Sequence, residues 1–144
     1  MMKKVISSAV VAASLMSPVA ATADNTVDKV VITLTSAEQQ TRGMAMVLGN
    51  AMQAKGARVS VLLCDSAGDM ALKGHQSTPL KPKNVTPEQL MQKLMSGGAK
   101  VDVCALYLPN KGVGMDALLE GVGAAKPAAM ADALMDEEAR VFNF

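Results

Sequence analysis

The chain carries two cysteines, Cys64 and Cys104, and a single histidine, His75, the side chains best suited to making or breaking a bond. A cysteine thiolate attacks sulfur electrophiles, and two thiols within reach of each other can close a disulfide. Two cysteines and one histidine are too few for a zinc cluster or a disulfide scaffold. Cys64 keeps three readings: a resolving thiol for Cys104, a structural disulfide partner, or a small core residue. A disulfide needs Cα atoms closer than about 7 Å, which the order of strands decides. His75 lies beside Gly74 in an irregular stretch. It would assist proton transfer to Cys104 if that stretch folds over the thiol, and would otherwise be a solvated loop residue. Asp65 and Asp69 flank the same stretch, but two carboxylates without a third ligand do not make a metal site. No metal and no cofactor are expected.

Methionine is the other abundant sulfur. Met44, Met46, Met52, Met70, Met91, Met95, Met115, Met130 and Met135 all lie beyond the first thirty residues. Thioether sulfur suits Cu(I), so a Met-rich copper binder is one alternative, with Met91 and Met95 at i, i+4 on one helix face. Against it, aromatics make up only 2% of the chain, and methionine is the residue that fills irregular cores in their absence.

Composition excludes several classes. Half of the 144 residues are hydrophobic and 19% are charged, which suits one folded domain rather than a disordered chain. The basic residues are scattered, the net charge is +1, and aromatics are scarce, so neither a phosphate-binding patch nor a base-stacking platform is present. Nucleic acid is not an expected partner. No Gly-rich dinucleotide or P-loop fingerprint occurs.

The amino terminus reads as an export signal. Lys3 and Lys4 precede an apolar stretch from Val5 to Met16, Pro18 breaks it, and Ala21-Thr22-Ala23 gives the small-x-small pattern of a cleavage site. The stretch is shorter than the roughly 20 residues of a membrane helix, so no membrane association is expected after cleavage. The expected organisation is a signal peptide at 1–23 and one α/β domain at 24–144, delivered to the periplasm. Losing the two lysines turns the net charge from +1 to −1.

Strand and helix signals then alternate. Lys29 to Thr35 and Val59 to Cys64 are short β-branched or apolar runs of the kind buried on both faces. Thr35-Ser-Ala-Glu38 has the form of a capping box opening a helix over about 38–55, with Gly56 as its stop. Asp65 to Leu80 is irregular, with room for one helical turn. Thr86-Pro87-Glu88-Gln89 opens a second helix that Gly97-Gly98 ends. Val101 to Leu108 reads as a third strand whose last residues already leave the sheet, Met115 to Gly121 and Pro127 to about Glu137 as helices, and Arg140 to Phe144 as a closing strand. This alternation without hairpins predicts a three-layer α/β/α sandwich on a mainly parallel sheet of four to five strands, with binding segments at the strands' carboxyl ends. Cys64 and Cys104 both fall there.

The segment Val101-Asp-Val-Cys104, followed by Gly112-Val113, resembles the DsrE/DsrF-like family of sulfur-relay proteins, in its exported single-domain branch. Asp116 to Val122 and Ala139 to Phe144 are similar to that family's following helix and terminal strand. The resemblance implies an α/β/α sandwich assembled as a trimer or hexamer. It also implies a persulfide carried on Cys104 and passed from a sulfur donor to an acceptor, either proteins or small thiols. A strand-end thiol facing a helix N-terminus would be activated as thiolate, with Lys111 as a further positive charge. Some exported members carry C-x-x-C at this point; here Tyr107 takes the second position. Some relatives have lost the cysteine and act as subunits without chemistry, so a non-catalytic binding or assembly subunit is the second reading.

Overall fold

The computed structural model describes residues 28–144. The expected signal peptide at 1–23 lies outside the described residues. Five parallel strands form one sheet: β1 (Lys29–Leu34), β2 (Arg58–Leu63), β3 (Lys100–Val103), β4 (Gly123–Ala124) and β5 (Ala139–Asn143), in the order β4-β3-β2-β1-β5. The helices are α1 (Gln39–Ala54), α2 (Pro87–Ser96), α3 (Tyr107–Lys111) and α4 (Pro127–Met135), and Asp65–Ala71 forms a 3₁₀ segment.

The strand order explains where the helices lie. From β1 to β4 the chain steps along the sheet in one direction, and right-handed crossovers place the intervening helices on one face. The return from β4 to β5 reverses direction and carries α4 to the other. The first face holds the core, where Ile32, Leu34, Val61, Leu63, Val101 and Val103 pack beneath Met46 of α1 and Met91 and Leu94 of α2. Gly49 lets these layers meet: a Cβ there would sit 3.0 Å from Leu94 and 3.1 Å from Ile32. The second face is thinly covered. None of the residues of α4 is buried, and Val141 and Phe142 on the edge strand β5 remain partly exposed.

Local signals that depended only on neighbours hold. Thr86 accepts from the backbone N–H of Gln89 and the Gln89 side chain accepts from the N–H of Thr86, closing the expected capping box. The expected box at Thr35 does not form. The Thr35 hydroxyl donates to the carbonyl of Phe144 at 3.3 Å, Ser36 Oγ accepts from the N–H of Glu38, and Glu38 itself is the cap position, without a side-chain bond. The third strand ends at Val103 rather than Leu108, because the chain turns at Cys104 into α3. Met115 to Gly121 contributes only a 3₁₀ turn at Met115–Ala117, and the two-residue β4 that follows carried no strand signal.

Methionine serves mainly as filler. Met46, Met70 and Met91 are fully buried, and Met52 and Met95 pack against the same core. Met91 and Met95 thus face the protein interior rather than a shared ligand.

Candidate functional site

The ladder brings the two cysteines together. Leu63 pairs with Val103, so Cys64 and Cys104 are the next residues of adjacent parallel strands. Cys64 donates its N–H to Leu34 at 2.9 Å and Cys104 donates to Leu63 at 2.8 Å, which fixes both backbones at the sheet's carboxyl edge. Each chain then leaves the sheet. Asp65 adopts a left-handed conformation with φ of 50°, unusual outside glycine, and the turn it makes feeds the 3₁₀ segment. The carbonyl of Cys104 accepts from Tyr107, starting the turn into α3.

Both thiols are free and half-buried. They line an open cleft of about 660 Å³ together with Asp65, Ser66, Asp69, Leu106, Tyr107, Asn110 and Lys111. Burial, followed by the hydrogen bond with Cys104, pushes the Cys64 thiol up to about 12. Cys64 therefore keeps its proton at neutral pH.

One wall of the cleft is a locked polar cluster. Tyr107 donates its hydroxyl to Asp69 Oδ1 at 2.7 Å, and Lys111 Nζ reaches the same oxygen at 2.7 Å. Burial opposes ionisation of Asp69, but the bonds from Lys111 and Tyr107 outweigh it and hold the carboxyl below its ordinary range. Burial, then the Asp69 bond, raises the Tyr107 hydroxyl, so it remains a donor. Gly68 makes this cluster possible, since a Cβ there would overlap the Tyr107 ring. Behind the wall, Arg42 is only 7% exposed. Its Nε donates to the carbonyl of Ser36 at 2.7 Å and its guanidinium NH₂ to that of Ser66 at 2.5 Å, tying the turn after β1 to the 3₁₀ segment.

Three of the four residues singled out from sequence, Cys104, Cys64 and Lys111, meet in this cleft; His75 does not. Its Nε2 lies 3.4 Å from Glu88 Oε1 at the start of α2, and it is absent from the cleft lining. The expected proton assistance from His75 to Cys104 is therefore corrected: the loop carries it toward a buried carboxylate instead. Lys111 is placed as expected, but Asp69 offsets its charge. The helix expected to point at Cys104 is the five-residue α3, too short for an appreciable dipole. Sequence reading missed Asp69 with Tyr107 as a working pair, as well as Arg42. A lone tyrosine aligned with a distant glycine gives no local signal, and Arg42 has the form of any exposed helix arginine.

An all-parallel five-stranded α/β sheet with a thiol-lined cleft at its carboxyl edge defines the class of protein. The fold is shared with known structures. The ychN protein from E. coli superposes with a TM-score of 0.68 at 19% identity, over 81% of this chain and 99% of that one. Protein MTH1491 from Methanobacterium thermoautotrophicum, described as of unknown function, superposes with a TM-score of 0.63 at 15% identity, over 81% and 98%. The chain therefore shares the α/β fold of these two structures. No family model and no curated protein sequence matches the chain.

Proposed function

We propose that this chain is an exported carrier of sulfane sulfur, held as a persulfide on Cys104. The observation that carries the reading is the Cys104 thiol at the floor of an open cleft, beside a second thiol that keeps its own proton. In this scheme the Cys104 thiolate attacks the outer sulfur of a donor persulfide, R–S–SH. The donor's S–S bond breaks, R–SH leaves, and Cys104 holds the sulfane sulfur until an acceptor thiolate removes it in the same way. At about 660 Å³ the open cleft has room for a small thiol. The Asp69–Tyr107–Lys111 wall keeps its shape without contributing free charge. Delivery to the periplasm rests on the leader at 1–23, and assembly into a homo-oligomer on the thinly covered face of α4 and β5.

A binding or assembly subunit without chemistry is the second reading, favoured by that same face with its exposed Leu134, Met135, Val141 and Phe142. Intact-mass measurement after incubation with a persulfide donor, in a Cys64→Ser background, separates the two. The carrier gains the mass of one sulfur atom and loses that gain when Cys104→Ser is added. A Cys64→Ser protein that stays unmodified, with Cys104 open to alkylation only on denaturation, overturns the carrier reading.

A further inference from the structure

We propose that Cys64 is the resolving thiol of the site, so that a persulfide formed on Cys104 is released as hydrosulfide and a Cys64–Cys104 disulfide is left. This inference rests on the carrier reading and gives the Cys104 persulfide a second exit, taken when no acceptor thiolate enters the cleft.

The geometry comes from the ladder. Cys64 and Cys104 stand one register step beyond Leu63 and Val103, on strands whose neighbours lie about 4.8 Å apart. Disulfides span Cα separations of about 4.4 to 6.8 Å, so the strand spacing already falls in range. The N–H bonds from Cys64 to Leu34 and from Cys104 to Leu63 hold both backbones at that spacing. The two side chains are half-buried and line one cleft.

The step balances without an outside reagent. Cys64 Sγ attacks Cys104 Sγ, the inner sulfur of Cys104–S–S⁻. A Cys64–Cys104 bond forms, the bond from Cys104 Sγ to the outer sulfur breaks, and that sulfur takes the Cys64 proton and leaves as HS⁻. The sulfane sulfur is reduced to sulfide, and the two cysteine sulfurs are oxidised to a disulfide. The open cleft gives the product an exit. A low-molecular-weight dithiol, by thiol–disulfide exchange, returns the pair to its reduced form and completes the cycle.

Burial and the neighbouring Cys104 hold the proton on Cys64, so closing the bond requires a base beside it. The outer persulfide sulfur, adjacent to Cys64, is the base that removes the proton in the same event.

The test is a single loading with freshly prepared glutathione persulfide under anaerobic conditions, on wild type, Cys64→Ser, Cys64→Ala and Cys104→Ser, followed by desalting, intact mass and sulfide assay. Wild type is expected to lose two hydrogens and to release one sulfide per chain above the Cys104→Ser background. Cys64→Ser and Cys64→Ala are expected to retain one added sulfur. A wild-type protein that holds the added sulfur as stably as the Cys64 variants overturns the resolving role and leaves the carrier reading standing. A glutathione adduct rather than an added sulfur on both Cys64 variants, or an unmodified wild type, overturns the carrier reading and this inference with it.

Discussion

Two carboxylates, Asp69 and Glu88, lie on the two sides of the segment that follows β2, and the fold treats them in opposite ways. Asp69 takes bonds from Tyr107 and Lys111 on one oxygen and faces an open cleft beside the two thiols. Glu88, 6% exposed, accepts from Ser77 on Oε1 and keeps His75 nearby, while its Oε2 and the His75 Nε2 are buried without a hydrogen-bond partner among the described residues. The first cluster is satisfied, shaped and exposed to small molecules. The second is inward-facing and holds the 72–86 stretch against the start of α2. A histidine beside a carboxylate is a familiar sign of proton chemistry, yet here it marks the cluster without a nucleophile. The cluster that lines the thiol cleft carries no histidine.

If that contrast is right, damage to the Asp69 side should reach the thiols and damage to the Glu88 side should not. Gly68→Ala is expected to have the largest effect. The new methyl overlaps the Tyr107 ring, so either the ring leaves Asp69 or the 3₁₀ segment shifts, at a cost of about 1–3 kcal/mol. Denaturant unfolding should show the loss, and Cys104 alkylation in the folded protein should change rate as the cleft wall moves. Unchanged stability and labelling would mean that Tyr107 does not need Gly68 to hold its place.

The thiols give the next effect. The folded protein holds the Cys64 proton more tightly than the unfolded chain, so this group's contribution to stability is present below about 9 and is lost as pH rises toward about 12. Cys64→Ser should therefore flatten the alkaline limb of a stability profile. In Cys104→Ala, removal of the hydrogen-bonding sulfur should bring Cys64 labelling to lower pH, though only in part, since burial is the larger cause. A Cys64 that labels at neutral pH as fast as a free thiol would dismiss its role as a protonated donor.

What could be read from residues divides along the same line. β1 and β2 were legible because an unbroken apolar run needs no partner to declare itself, and the Thr86 cap was legible because all its bonds fall within four residues. The Thr35 cap misled because its hydroxyl is taken by Phe144, more than a hundred residues away. Cys104 was placed at a strand end from the glycine and apolar pattern around it, but the strand ended earlier than expected. Tyr107 and Leu108 belong to α3 and pack inward from it, while Leu106 just before the helix is exposed, so none of the three serves the sheet. The meeting of Cys64 with Cys104 depended on β2 and β3 being neighbours, a fact of topology that neither segment encodes by itself.

Asp69 also predicts an acid limb. Its carboxyl titrates lower in the folded chain than in the unfolded one, so its contribution is full above the unfolded value of about 4 and fades as pH falls through the folded value. Asp69→Asn should make stability less sensitive to pH in that window and should free Lys111 within the cleft. An unchanged acid limb would show that the bonds from Tyr107 and Lys111 do not favour the charged form.

Glu88→Gln should have the smallest effect, and it tests the other half of the contrast. The substitution keeps an oxygen to accept from Ser77 and removes a nearly buried negative charge, which favours the variant. It also places an amide NH₂ where Oε2 now lies without a partner, and an unmet buried donor costs about 1–3 kcal/mol. These two changes oppose each other, so the net shift in denaturant stability should stay within about 1 kcal/mol. Because neither Glu88 nor His75 lines the thiol cleft, the alkylation rate of Cys104 and its pH dependence should match the wild type. A changed labelling profile in a variant of unchanged stability would mean that the His75–Glu88 pair acts on the thiols through the intervening segment, and the separation of the two clusters would then fail.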